Sequence, residues 1–195
     1  SLPNRYKVFL GSTVSGFKHH TYFSNNKKTK FGIQSFNFKT KEAKTELLEI
    51  VMENEKFLQS YVSNNTFQIL TITKNTSILN VYLLNSNKGR AISKIEKKSP
   101  NSIQNAFSKT KLYVQDNKLI ITLDYNFKFT QIITINLDNY SYNFNKISQN
   151  QNDNRTLKFK KSNSFILDDK LFQISVINRN LVFSIKDLKN GAIIK

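Results

Sequence analysis

Tyr113-Val-Gln-Asp-Asn-Lys-Leu-Ile-Ile121 reads as two short β-strands joined by a two-residue turn. Tyr113 and Val114 on one side and Leu119, Ile120 and Ile121 on the other flank the polar pair Asp116-Asn117. Asn and Asp tolerate positive φ and hydrogen-bond their own backbone, which suits a tight hairpin. The pattern recurs 52 residues earlier as Tyr61-Val-Ser-Asn-Asn-Thr-Phe-Gln-Ile69, and 52 residues later as Phe165-Ile-Leu-Asp-Asp-Lys-Leu-Phe-Gln173. Tyr61, Tyr113 and Phe165 are aromatic, and Val62, Val114 and Ile166 are β-branched. The polar pairs are Asn64-Asn65, Asp116-Asn117 and Asp168-Asp169, and Phe67, Leu119 and Leu171 resume the apolar run. No pair is an Asn-Gly, but three occurrences at one spacing compensate.

Further along the chain, each copy continues alike. A second strand is expected at residues 67–72, 119–123 and 171–177, then a polar break at 73–76, 126–128 and 178–180. The third strand falls at 78–84, 131–137 and 181–185, the next turn at 85–89, 138–139 and 187–190, and the fourth strand at 90–95, 140–147 and 191–195. Runs such as Ile132-Ile133-Thr134-Ile135 are apolar on both faces, as in strands covered on both sides. Counting 52 back from Tyr61 and Val62 reaches Phe9 and Leu10 and places Gly11-Ser12 near a turn, with Gly32 to Phe38 as the third strand of a degenerate first copy. Residues 41–52 remain open. Leu47, Leu48, Val51 and Met52 fit a helical stripe, yet five of the thirteen acids fall between Glu42 and Glu55, as on a charged outer strand.

A four-stranded antiparallel unit has two apolar faces and cannot bury both alone; stacking its neighbours face to face does so. Four-strand repeats of this length resemble β-propeller repeat proteins, over about residues 57–195 and more faintly over 5–55. The resemblance rests on the strand pattern. No Trp supplies a Trp-Asp dipeptide, and neither a Gly-Gly pair nor a calcium loop is present. Phe9-Leu10-Gly11-Ser12 followed by Gly32-Ile33-Gln34-Ser35-Phe36 is similar to the opening blade of lactonase-like propellers. The resemblance implies an all-β fold of four-stranded antiparallel units of about 52 residues, stacked as propeller blades at roughly 5–55, 57–100, 109–150 and 161–195 within one domain, 1–195. At this repeat length 195 residues hold just under four units, whereas six to eight blades need roughly 300–400 residues. An open fragment of a larger propeller is therefore expected, with an irregular β-sandwich as the alternative. The missing initiator Met and the apolar end, Ala192 to Ile194, point the same way.

Composition closes several routes. Without Cys there is no disulfide framework, thiolate nucleophile or Cys-ligated metal. No run of about 18 apolar residues can form a membrane-spanning helix. Thirty basic against thirteen acidic side chains leave +17, which ordinarily points to polyanions. However, abundant Lys, Asn, Ile, Phe and Tyr beside scarce Arg, Ala, Gly and Pro is the signature of a low-GC bacterial genome. Arg is the residue suited to bidentate phosphate contacts, and there are four. The clusters Lys27-Lys28-Thr29-Lys30, Lys94 with Lys97-Lys98, and Lys158 with Lys160-Lys161 read as solvated surface, so nucleic acid is disfavoured as a partner.

No catalytic constellation emerges. His19-His20 would point to opposite faces of a strand and cannot readily share a metal. Asp116 and Asp168 read as turn residues, and Asp124, Asp138 and Asp187 fall at strand ends or turns. Neither a phosphate-binding glycine loop nor a Gly-x-Ser-x-Gly elbow occurs. Tyr140, Tyr142 and Phe144, with Lys146, alternate as on one strand face and suit packing better than base or sugar stacking. No catalytic, binding or metal residue is singled out and no cofactor is expected. The reading is a non-enzymatic scaffold that binds a protein or a glycan through loops on one rim, working outside the cytoplasm. The alternative is a propeller-type hydrolase or lactonase whose acid–base residues lie partly outside this segment.

Overall fold

The computed structural model describes residues 7–25, 30–53, 55–56, 67–71, 80–84, 93–95, 109–124, 126, 128–149, 160–177 and 180–195. Among these the protein is all-β, with no helix. In chain order the strands are β1 (Lys7–Ser15), β2 (Lys18–Asn25), β3 (Phe31–Asn37), β4 (Ala43–Leu48), β5 (Val51–Met52), β6 (Glu55–Lys56), β7 (Phe67–Thr71) and β8 (Asn80–Leu84). They continue with β9 (Ser93–Ile95), β10 (Thr110–Gln115), β11 (Lys118–Leu123), β12 (Phe129–Asn136), β13 (Tyr142–Ser148), β14 (Lys160–Leu167), β15 (Lys170–Ile177) and β16 (Asn180–Asp187). Sheet I runs β1-β2-β3-β4, sheet II β13-β12-β11-β10-β9 and sheet III β14-β15-β16, with two-stranded ladders β5-β6 and β7-β8. The chain divides into two compact units, 1–91 with 138–140, and 92–137 with 141–195.

The three large sheets each contain an antiparallel meander whose first hairpin has a two-residue turn beginning with a left-handed residue. Sheet II turns at Asp116-Asn117, between the pair Gln115 and Lys118; both turn residues are left-handed, at φ 44° and 59°. Sheet III turns at Asp168-Asp169 between Leu167 and Lys170, with Asp168 at φ 53°. Sheet I turns at Gly16-Phe17 between Ser15 and Lys18, with Gly16 at φ 55°. That last turn corrects the expected position near Gly11-Ser12, because gap-free counting by 52 cannot see that the spacing is shorter at this end. Gly11 instead follows a register shift in β1.

A second shared turn closes the third strand of each sheet. The Asn37, Asn136 and Asp187 amides donate to the carbonyls of Glu42, Ser141 and Ala192, each at 2.9 Å. The next amides, of Phe38, Leu137 and Leu188, reach back to the carbonyls of Phe17, Asn117 and Asp169, also at 2.9 Å. The fifth residue is left-handed each time: Lys41, Tyr140 and Gly191. Asn37 Oδ1 accepts from the Lys39 and Thr40 amides, and Asp187 Oδ1 from those of Lys189 and Asn190, so a short polar side chain fixes the turn.

The open choice at 41–52 resolves to the charged outer strand, with strands at Ala43–Leu48 and Val51–Met52, while several other expectations need correction. Tyr140 is not on a strand: it occupies the left-handed turn position, and β13 starts at Tyr142. The expected strand at 191–195 shrinks to one bridge, Lys186 to Ile193, since the Ile185 carbonyl accepts from both the Ile194 and Lys195 amides and the ladder does not advance. The strand expected at 90–95 appears as β9 and pairs in parallel with β10, supplying partners to an otherwise free edge. Tyr61, Asn64-Asn65, the breaks at 73–76 and 178–179, the turn at 85–89, and Lys27, Lys28, Lys97, Lys98 and Lys158 lie outside the described residues.

Sheet II is buried on both faces, as the two-sided apolar runs anticipate. Leu112, Leu119, Ile121, Leu123, Ile133 and Ile135 fill one face. On the other, Tyr113, Ile120, Ile132 and Ile147 pack against Ile166 and Leu171 of sheet III.

Candidate functional site

The contact between sheets II and III carries the densest polar chemistry among the described residues. β14 is an edge strand of sheet III, so the amides of Ser164 and Ile166 need acceptors from elsewhere. Sheet II provides them: Asp124 Oδ2 accepts from the Ser164 amide at 2.9 Å, and Tyr113 Oη accepts from the Ile166 amide at 3.2 Å. Asp124 also accepts from Ser164 Oγ at 2.9 Å, Thr130 Oγ1 at 2.9 Å and Lys111 Nζ at 3.1 Å. Lys111 also donates to Asn163 Oδ1. Thr130 Oγ1 in turn accepts from Gln173 Nε2 at 3.1 Å and Gln149 Nε2 at 3.4 Å. Lys109 donates to the Ser162 carbonyl and Lys186 to the Ser148 carbonyl, so lysines reach across in both directions.

This network is sealed. The Lys111 and Asp124 side chains are both 0% exposed. Burial lowers the Lys111 pKa from its ordinary value, opposed by the Asp124 charge. Burial likewise raises that of the Tyr113 hydroxyl. A buried ion pair of this kind contributes little net stability over an apolar pair, but either partner alone is costly. The paired positions lie 52 residues apart: Lys111 meets Asn163, and the Tyr113 and Phe165 rings meet edge to face with centroids 6.0 Å apart.

Above this clamp, at the turn end of the two sheets, lies an open cleft of about 320 Å³. Ile120, Ile132 and Leu188 form its apolar floor. Asp116 and Asp169 come from the two hairpin turns, Lys118 and Lys189 stand beside them, and Gln115, Thr134, Asn143 and Asn145 complete the wall. Asn145 is held by its own contacts, Oδ1 accepting from the Lys146 amide at 2.7 Å and Nδ2 donating to the Lys189 carbonyl at 3.5 Å.

In sheet I, His20 is buried and its Nδ1 lies 2.7 Å from Ser35 Oγ, while Nε2 has no partner among the described residues. Desolvation by burial lowers its pKa to about 4, with the charges of Lys18 and His19 adding to this and Asp138 opposing. Thr13 Oγ1 and Tyr22 Oη are 2.5 Å apart, and burial pushes the Tyr22 hydroxyl up to about 12. His19 lies on the opposite face of β2, as the alternation requires.

Among the residues considered from sequence, Asp116 and Asp168 are turn residues, and Asp187 fixes its turn through Oδ1. Tyr142 and Phe144 do share a strand face, and Lys146 on that face stacks 4.5 Å from the Phe129 ring. Sequence reasoning places Asp124 at a strand end and does not mark it as the hub. The signal that could have found it was a set of polar residues, Lys111, Asp124 and Thr130, at positions where the strand pattern calls for apolar ones. Among the described residues no three His, Asp or Glu side chains gather as metal ligands. No described helix is long and apolar enough to cross a membrane. No protein-family model and no curated protein matches the chain.

Proposed function

We propose that this chain is a run of propeller-type blades belonging to a larger ring, and that it serves as a non-enzymatic scaffold binding a protein or glycan through the turns on one rim. The observation that carries the reading is the outward face of sheet III. There Phe172 and Ile185 form one row, Ile174 and Phe183 the next, and Val176 and Leu181 a third, beside Phe165, whose ring turns to Tyr113 of sheet II. Leu181 is 66% and Phe183 54% exposed. Ile174, at 41%, is exposed beside them, so large apolar side chains of neighbouring strands stand together in solvent, as at an interaction surface. By strand and register this is the counterpart of the sheet II face that sheet III covers: Phe165 corresponds to Tyr113 and Phe172 to Ile120. A further sheet docked as III docks on II would cover it. The outward face of sheet I differs: Val14, His19, Gln34 and Phe36 stand there, a more polar set suited to an end unit.

The scaffold function rests on where free chemistry remains. Sheet faces are committed to stacking, Asp124 is closed off by donors from Lys111, Thr130 and Ser164, and the exposed polar groups of the second unit gather at the turns. The hydrolase alternative needs a solvent-reachable carboxylate with a partner; Asp124 is not one, and the cleft carboxylates Asp116 and Asp169 are the ones to test. The test is turnover: incubation of the chain with a panel of lactones and aryl esters should leave them unchanged. Hydrolysis abolished by Asp116→Asn or Asp169→Asn would overturn the scaffold reading.

A further inference from the structure

We infer that the rim cleft between sheets II and III is a site for a neutral saccharide; this deepens the scaffold reading and rests on it. Three features of the cleft point to this ligand class. Its floor, Ile120, Ile132 and Leu188, is apolar, the kind of surface on which the C–H face of a pyranose ring stacks. Its wall brings amides, a hydroxyl and carboxylates together, and vicinal hydroxyls need such groups because each hydroxyl both donates and accepts. The side chains of Asp116, Thr134, Asn143 and Asp169 make no hydrogen bond within the described protein and can turn to a ligand.

Charge separates this ligand class from the obvious competitor. The whole chain carries +17, yet the cleft pairs Asp116 and Asp169 with Lys118 and Lys189, so its lining sums to zero. A phosphate or sulfate would meet two carboxylates that offset the two lysines, whereas an uncharged polyol can hydrogen-bond to all four. A volume of about 320 Å³ is at the small end of small-molecule sites, room for roughly one or two sugar rings.

The experiment is titration of the ¹⁵N-labelled chain with cellobiose, maltose, lactose and chitobiose, each to roughly 20 mM, with inorganic phosphate and a heparin disaccharide as charged controls. The expected result is a saturable shift of the amides at 115–118, 134, 143–145 and 188–189 with at least one neutral probe. Asn143→Ala and Asp169→Asn should each weaken it about tenfold while the rest of the spectrum is kept. No saturable shift with any neutral sugar, an unchanged response in both variants, or stronger binding of the charged controls overturns the inference and leaves the scaffold reading standing. Chemical consumption of a bound probe would overturn the scaffold reading instead.

Discussion

Replacing Asp124 with Ala should be among the most damaging single changes in the second unit. The substitution removes one carboxylate and strands four groups: the Lys111 ammonium, the Thr130 hydroxyl, and the Ser164 hydroxyl and amide. Breaking a buried ion pair from one side costs about 3–5 kcal/mol, and a buried amide left without an acceptor about 1–3 kcal/mol more. These terms overlap, because Lys111 keeps Asn163 and the Ser164 amide also lies 2.9 Å from Asn163 Oδ1. A net loss of about 4 kcal/mol is expected, a large share of the roughly 5–15 kcal/mol that holds a typical domain together. Asp124→Leu combined with Lys111→Met should recover part of the loss, the share due to the stranded Lys111 ammonium, while Thr130 and Ser164 stay without their carboxylate acceptor. Urea unfolding monitored by tyrosine fluorescence gives the stability, and amide exchange at Ser164 gives the local effect. A loss under about 1 kcal/mol for Asp124→Ala, or a double variant no better than the single one, would refute the reasoning.

Three further outcomes are expected. With a folded pKa near 4 against about 6.5 unfolded, His20 gains its proton first in the unfolded chain; stability should therefore fall as pH drops from about 6.5 to 4, by roughly 2–3 kcal/mol at most. In urea titrations at pH 7 and 4.5, His20→Gln should flatten that dependence relative to the parent, and an identical pH slope would contradict the assignment. A Cβ at Gly32 would collide with the buried Phe23 ring, so Gly32→Ala should cost about 1–3 kcal/mol by overpacking; Gly16→Ala, with open space but φ 55°, should cost about 1 kcal/mol, and Gly16→Asn less, all read from urea midpoints. Asn117 sits at φ 59° in a two-residue turn, so Asn117→Gly should stabilise by a few tenths to about 1 kcal/mol; a lowered urea midpoint would argue against that turn geometry.

The hairpins at Asp116-Asn117 and Asp168-Asp169 were legible because turn chemistry is local: two adjacent residues decide it. The hairpin at Gly16-Phe17 was not, because a fixed spacing of 52 assumes connections of constant length. Tyr140 escaped because a left-handed turn residue that happens to be aromatic is indistinguishable, in sequence, from the next member of an alternating strand. The second turn left a readable trace: Asn37-Phe38, Asn136-Leu137 and Asp187-Leu188 each put a short polar side chain before an apolar one. The Asp124 network left almost none. Its donors Lys111, Thr130 and Ser164 come from three strands of two sheets, and what unites them is a face contact that no local pattern encodes.

The central claim is that residues 52 apart in sequence occupy equivalent places in sheets II and III and so meet. Aromatic NOE spectroscopy on the ¹³C-labelled chain tests it directly. Cross-peaks between the Tyr113 and Phe165 rings, whose centroids are 6.0 Å apart, together with contacts from both rings to Ile166, are the predicted result. Rings that each show contacts to their own sheet but none to one another would contradict the account.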